Sequence, residues 1–313
     1  MSATALIAID WGTTSARAYC LDAGGEVIAS RKGPLGIMQV QDGAFPAALA
    51  TLLGDWRDVA VPRLACGMVG SRQGWREAPY VDCPAPLANL AAGIVHVPGG
   101  ALTIVPGVRS RDANGIPDVM RGEETQLAGA IDEQEDSVVA VLPGTHSKWA
   151  RVERGRLVDF ATYMTGEMYD VLLAHSILGR LAVAPGPEPG TAFARGVARG
   201  LGEGALCHDL FGARTLALMD ELAPADVPDW LSGMLIGREV RDASAWTQRR
   251  DGSRVRVVGT DALTTRYAAA LTQAGVDVER APPDAAARGL WRIAQHASLV
   301  FPSPSPHTES IRS

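Results

Sequence analysis

The chain has 313 residues, 47% apolar and 20% charged, with a formal net charge of −6. That length suits about two domains, and core-forming material is ample. The acidic balance argues against a nucleic-acid-binding surface, and no apolar run reaches the roughly 18 residues of a membrane helix. Cys20, Cys66, Cys83 and Cys207 form no CxxC pair, which reads as reduced thiols in a cytoplasmic protein. No charged stretch precedes a long apolar run at the N-terminus, so no secretion signal is expected.

In chain order, residues 5–33 read as an apolar strand, a tight turn at Asp10-Trp11-Gly12-Thr13-Thr14-Ser15, a second strand, and a further strand after Gly24-Gly25. Residues 43–53 have helical character. Residues 64–69 form a short strand that runs into the Gly-punctuated loop Gly70-Ser71-Arg72-Gln73-Gly74-Trp75. A short helix is expected in 84–92 and a buried strand at 102–105. Pro117 is placed to open a helix, where its missing N–H is harmless, with Met120, Leu127 and Ile131 inward and an end near 133–136.

The opening device then recurs at 137–164: strand, Pro143-Gly144-Thr145-His146-Ser147 turn, strand, Arg154-Gly155 turn, strand. Gly12-Thr13 maps on Gly144-Thr145, and Ser15 on Ser147. A helix is expected over 166–181 with Met168, Val171, Leu172, Ile177 and Leu178 inward, followed by a rigid Pro-rich loop at 183–190. Helices follow at 191–202, 213–222 and 227–240, a strand at 255–259, a helix at 262–274, a strand at 276–280 and a last helix at 285–299. The Pro-Ser tail at 302–313 reads as disordered. Strands alternating with helices, and the hairpin built twice, predict two α/β lobes, each a mixed sheet beginning with a hairpin. The expected division is 1–120, 121–301 and a tail 302–313. No G-x-G-x-x-G opens a helix and no Walker P-loop occurs.

Glycine lets a backbone approach an anion, and successive N–H groups form an anion-binding nest. The turns at Gly12, Thr13 and Thr14 and at Gly144, Thr145 and His146 are therefore candidate phosphate sites. Asp10 ends a strand beside the first turn, where a carboxylate can hold Mg²⁺ through water. The second turn has Leu142 and Pro143 in that place, and brings His146 and Lys148 instead. Between the hairpins lies Arg121-Gly122-Glu123-Glu124-Thr125-Gln126. Phosphoryl transfer to a hydroxyl uses a carboxylate as proton acceptor, so Glu123 and Glu124 are candidates. Ser71, Arg72, Gln73 and Trp75 offer chemistry for an anionic small molecule, with Arg72 suited to a carboxylate fork. Thr165 and Glu167, at a helix start, are candidates for holding a polyol. Gly259 and Thr260 stand in a strand-turn-helix stretch that could seat adenine and ribose.

On Ile9-Asp-Trp-Gly-Thr-Thr14, Gly67-Met-Val-Gly-Ser-Arg-Gln-Gly-Trp75, Arg121-Gly-Glu-Glu-Thr-Gln126, Pro143-Gly-Thr-His-Ser-Lys-Trp149, Met164-Thr-Gly-Glu167 and His175-Ser-Ile-Leu-Gly-Arg180, the sequence resembles the 2-dehydro-3-deoxygalactonokinases. These belong to the sugar-kinase, heat-shock-protein and actin superfamily, and nearly the whole chain takes part in the likeness. The resemblance implies a two-lobed actin-like (ribonuclease H-like) fold and ATP-dependent phosphorylation of 2-dehydro-3-deoxy-D-galactonate at its 6-hydroxyl, in galactonate breakdown. Gly122-Glu123-Glu124 looks like the counterpart of the Gly-Asp-Gln stretch that supplies the base in other sugar kinases, with Glu in place of Asp.

The reading is thus a Mg²⁺-ATP kinase for a sugar acid. Asp10 organises the metal, Glu123 accepts the proton, the two turns hold phosphates, and Arg72, Ser71, Gln73 and Lys148 hold the acid. The gluco isomer as acceptor, a nucleotide-switched binding protein and a phosphatase-like relative are the alternatives. A homo-oligomer is left open.

Overall fold

The structure is a computed structural model that describes residues 3–181, 189–247, 254–259 and 262–301. Most of the expected 183–190 loop, Thr260 and the 302–313 tail lie outside the described residues. The first half contains β1 (Leu6–Trp11), β2 (Ala16–Leu21), β3 (Val27–Gly33), α1 (Phe45–Leu53), β4 (Arg63–Gly67), β5 (Tyr80–Asp82), β6 (Ala85–Pro86), α2 (Leu87–Ala92), β7 (Val95–His96), β8 (Thr103–Ile104), β9 (Gly107–Arg111), β10 (Pro117–Met120) and α3 (Glu123–Ala130). Then follow β11 (Val138–Leu142), β12 (Ser147–Glu153), β13 (Arg156–Tyr163), α4 (Thr165–His175), α5 (Thr191–Leu201), α6 (Leu206–Leu218), α7 (Val227–Trp246), β14 (Val255–Val257), α8 (Ala262–Gln273), β15 (Val278–Arg280) and α9 (Ala285–His296).

Two compact units result. The first holds the chain up to Gln134, the segment Arg154–Leu157, and everything from Asp284 onward; the second holds Glu135–Glu153 and Val158–Pro283. The expected break after residue 120 is displaced, and the reason is helix packing. α3 lies against α9 through two glycines: a Cβ at Gly129 would overlap the Ala285 carbonyl, and one at Gly289 would overlap the Thr125 carbonyl. Two backbones that close bind α3 and the last helix into the first unit.

The main sheet of the first unit runs β3-β2-β1-β4-β8-β7. β1, β2 and β3 are an antiparallel meander, and β4 and β8 then add in parallel to β1. β1 is buried almost throughout because one face packs on α9 and the other on α1. Ile7, Ile9, Trp11, Leu49, Leu53 and Ile104 form its core, each such side chain contributing roughly 1.5–3 kcal/mol by burial. A small sheet, β10-β9-β5, sits apart. The helix expected to open at Pro117 is instead the edge strand β10, paired with β9, and the helix starts only at Glu123. Proline is tolerated at the first residue of an edge strand, so Pro117 alone does not specify a helix. Met120 accordingly lies in the strand, and α3 ends at Ala130, short of 133–136.

The second unit repeats the plan. Its sheet includes β15-β14-β11-β12-β13, with β11 antiparallel to β12 and parallel to β14. The second turn is one residue longer than the first: Leu142 pairs with Lys148 where Trp11 pairs with Ala16. α7 is buried from Val227 to Val240 because α5 crosses it on glycines. Cβ atoms at Gly196 and Gly200 would overlap the carbonyls of Trp230 and Met234, and one at Gly233 would overlap that of Phe193. On and after α4, Met168, Leu172 and Leu178 pack on the helical core as expected. Val171 and Ile177, expected inward, are exposed; α4 stops at His175, and a 3-10 turn from Ile177 resets the phase there.

Candidate active site

Two glycines with left-handed φ build the centre of the first unit. Gly67 ends β4 at φ 90°, where a Cβ would lie 2.7 Å from the Trp11 carbonyl oxygen. Gly122 has φ 106°, and a Cβ there would lie 3.1 Å from the Gly67 Cα. The start of α3 is thereby pressed against the carboxyl ends of β1 and β4, where ligands of α/β sheets usually bind. Asp10 stands there, opposite Arg17 and Cys66 in the ladder. Burial pushes its carboxyl up to about 6, with Arg17 pulling it down and Glu123 pushing it further up. Asp10 and Glu123 therefore feel each other's charge.

The first turn is held from one side. Gly12 N–H donates to the Ser15 carbonyl at 2.9 Å, and the carbonyls of Gly12 and Thr13 accept from Ile37 and Met38, both at 3.1 Å. In a trans peptide the C=O and the following N–H point oppositely. The N–H groups of Thr13 and Thr14 thus point away from Ile37 and Met38, at exposed residues, as an anion nest requires.

The two glutamates differ sharply. Glu124 is 3% exposed; its oxygens accept from Gly122 N–H at 2.7 Å and Thr125 Oγ1 at 2.9 Å. Burial, with the Glu123 charge beside it, raises its pKa to about 7. Glu123 is half-buried and accepts from Arg121 N–H at 3.0 Å. Of the two, Glu123 is the one a ligand can reach.

The raised Glu124 pKa has a stability consequence. Both states are protonated below pH 4.5; above it the unfolded chain ionises first, so stability falls as pH rises towards 7. The shift from 4.5 to about 7 corresponds to an upper limit of roughly 3 kcal/mol. Glu124→Gln is neutral at every pH and avoids this penalty. Urea midpoints should therefore diverge in favour of the variant between pH 5 and pH 8; an equal gap at both values would contradict the assignment.

The Ser71–Trp75 loop follows β4 directly. Arg72 is 88% exposed and sits 3.6 Å from Glu77; Gln73 is also exposed. Ser71 Oγ is buried with no hydrogen-bond partner among the described residues. Trp75 stacks on Phe45 at 6.0 Å and meets Trp11 edge-on, so much of its ring belongs to the core. Behind the loop, the buried Arg121 donates to the Ala78 carbonyl at 2.8 Å and lies over Tyr80 at 4.5 Å.

In the second unit, Gly166 lets α4 start against the second turn: a Cβ there would lie 2.6 Å from the Gly144 carbonyl oxygen. Glu167 N–H donates to the Thr145 carbonyl at 2.9 Å, and its carboxylate lies 2.5 Å from His146 Nε2. Lys148 is buried, with Nζ 3.3 Å from the His146 carbonyl. Lys148, expected to help hold the acid, thus lies against the second turn. Gly259 follows β14 at φ 134°, at the same end of the sheet as the second turn.

Between these loops and the helices lies a cavity of about 280 Å³. Gly144, Thr165, Gly166 and Tyr169 form one side; Ser232 and Ile236 of α7 and Ala262, Leu263, Arg266 and Tyr267 of α8 form the others. Its lining is mostly apolar, as in pockets for flat organic groups. Arg266 is held by Asp229 at 2.7 Å. The α7 and α8 residues carry no motif; their only sequence signal is polar side chains within otherwise apolar helices. Thr165 and Glu167, expected to hold a polyol, belong to this pocket and to the second turn.

A metal fits the first unit in one manner. Among the described residues no group of three or more His, Cys, Asp or Glu could hold an ion alone. Mg²⁺ commonly takes one or two carboxylates and completes its shell with water and substrate phosphates. Asp10, whose carboxyl burial pushes up, is a hard oxygen donor whose charge such a cation would relieve.

Residues 10–293 match the family model described as 2-keto-3-deoxy-galactonokinase. The chain is 37% identical to the 2-dehydro-3-deoxygalactonokinase of Escherichia coli K12, covering 93% of this chain and 97% of the relative. It is 39% identical to the Rhizobium meliloti protein named Probable 2-dehydro-3-deoxygalactonokinase DgoK1, covering 91% and 97%. A Sinorhizobium meliloti crystal structure, provisionally identified as a 2-dehydro-3-deoxygalactonokinase protein, superposes with a TM-score of 0.85 at 37% identity over 93% of this chain and 98% of that one. At the level of fold alone, the (R)-2-hydroxyglutaryl-CoA dehydratase component A of Acidaminococcus fermentans matches with a TM-score of 0.52 at 14% identity, over 94% and 100%. The fold is the expected two-unit α/β, actin-like one. By its duplicated hairpin, its carboxylates at the strand ends and these matches, the chain belongs to the 2-keto-3-deoxy-galactonokinase family.

Proposed function

We propose that this chain is an ATP-dependent kinase that phosphorylates the 6-hydroxyl of 2-dehydro-3-deoxy-D-galactonate, releasing ADP. The observation that carries the reading is the pairing of Asp10 and Glu123 at the carboxyl ends of β1 and β4, beside the outward N–H groups of Thr13 and Thr14, in a chain of this family.

In this reading the 6-hydroxyl oxygen attacks the γ-phosphorus while its proton passes to a Glu123 carboxylate oxygen. The bond from the γ-phosphorus to the β–γ bridging oxygen breaks, and ADP leaves with the charge on its β-phosphate. Mg²⁺, when bound, neutralises charge on the phosphate oxygens. Asp10 would hold it, and the N–H groups of the two turns would take phosphate oxygens, needing no reorganisation. The pocket beside Gly144 receives the adenosine part. Arg72 exchanges its exposed partner Glu77, a contact of little intrinsic strength, for the carboxylate of the acid, with Ser71 and Gln73 beside it. The reading suits a cytoplasmic enzyme, and among the described residues no helix is long and apolar enough to cross a membrane.

A coupled ADP-release assay over 2-keto-3-deoxy acids tests this. Turnover is expected only with both Mg²⁺ and an acid, and fastest with the galacto isomer. Faster turnover of the gluco isomer would move the assignment to that acid. ATP hydrolysis at the same rate with and without acid would instead mark a nucleotide-switched binding protein.

A further inference from the structure

Glu239 lies one turn past Ile236 on α7 and is 2% exposed. A carboxylate is costly to bury unless its oxygens are well hydrogen-bonded. Its Oε1 accepts from Ser147 Oγ at 2.7 Å and from Trp149 Nε1 at 2.8 Å; its Oε2 accepts from the Tyr267 hydroxyl at 2.7 Å. The Thr165 hydroxyl hydrogen-bonds it as well. Burial pushes this carboxyl up, and these four donors pull it back down. They come from three elements: β12 directly after the second turn, the first residue of α4, and α8. Thr165 and Tyr267 also line the pocket, whereas Glu239 does not.

An ionised carboxylate can only accept hydrogen bonds. Each hydroxyl bound to Glu239 therefore directs its proton there, and Thr165 and Tyr267 keep only lone pairs for other partners. We propose that Glu239 is a positioning residue of the nucleotide site, which ties the second phosphate turn to the pocket and sets the Thr165 and Tyr267 hydroxyls as acceptors for nucleotide donor groups. Those donors are ribose hydroxyls or the amino group of the base. The proposal rests on the pocket being the ATP site.

Glu239→Gln has nearly the same shape. Trp149 can only donate, so the amide oxygen must face Ser147 and Trp149, and the amide NH₂ must face Tyr267 and Thr165. Those two hydroxyls then accept, and their protons turn elsewhere. The experiment uses full-length wild type, Glu239→Gln, and Ala262→Trp, which fills the pocket from an exposed position. ATP, 2′-deoxy-ATP and inosine triphosphate are titrated calorimetrically, and KM is measured for ATP and for the acid.

Glu239→Gln is expected to raise the Kd and KM for ATP about 10-fold, or roughly 1.4 kcal/mol, and to leave the acid KM within about twofold. The wild-type preference for ATP over 2′-deoxy-ATP points to ribose, and that over inosine triphosphate to the base amine; whichever is present should shrink in the variant. Unchanged ATP affinity and selectivity, or equal rises in both KM values, would overturn the proposal. If Glu239→Gln does not fold, Tyr267→Phe removes one of the hydroxyls, and the same selective rise is expected; no rise overturns the proposal. Ala262→Trp with wild-type ATP affinity would instead overturn the placement of ATP in this pocket, whatever Glu239→Gln shows.

Discussion

Glu123→Gln is expected to lower kcat by about two to four orders of magnitude, while the KM for ATP stays within about twofold and the thermal midpoint is nearly unchanged. The glutamine keeps an oxygen for the Arg121 N–H but can no longer take a proton from the attacking hydroxyl. Glu124→Gln should behave oppositely. Its side chain is buried and bonded through both oxygens to Gly122 and Thr125, so it acts on the shape of the α3 start and on stability. Steady-state kinetics with circular dichroism melts separate the two. A dead Glu124→Gln beside an active Glu123→Gln would reverse the assignment.

The second large effect is expected far from any reacting atom. Gly289→Val places a branched side chain where the Thr125 carbonyl already sits, one residue past Glu124. Overpacking of a closed core usually costs about 1–3 kcal/mol, and here the obstacle is backbone, so α9 and α3 must separate. A loss of at least about 3 kcal/mol is expected, a large part of a typical net stability of 5–15 kcal/mol. Because α3 carries Glu123 at its first position, any variant that still folds should also lose kcat. Gly275→Ala, at a positive-φ turn with open space around it, should cost less, about 1–2 kcal/mol. Denaturant melts of the two variants decide the matter; equal losses would show that the α3–α9 approach carries no special weight.

The parts legible in the sequence were those with short-range signals. The hairpin turns at Gly12 and Gly144 combine glycine, hydroxyls and flanking apolar strands, and both form as expected. Asp10 could be placed because it ends a strand beside such a turn. Long-range packing was not legible. Pro117 fits a helix start and an edge strand equally well, and only pairing with β9 decides between them. α9 returns to the first unit because Gly129 and Gly289 meet across about 160 residues of chain, which no local pattern announces. The same holds for Glu239: a glutamate in a helix reads as surface until Ser147, Trp149 and Tyr267 are found around it. Arg72 was expected to hold the acid because of its chemistry, and the structure leaves its guanidinium exposed beside Glu77.

The most direct test of the account is phosphorus NMR of wild-type protein with Mg²⁺, ATP and 2-dehydro-3-deoxy-D-galactonate. One new phosphomonoester signal is expected, coupled to the C6 protons of the acid and growing one-for-one with ADP. Inorganic phosphate in place of that ester, or an ester on another hydroxyl, would contradict it.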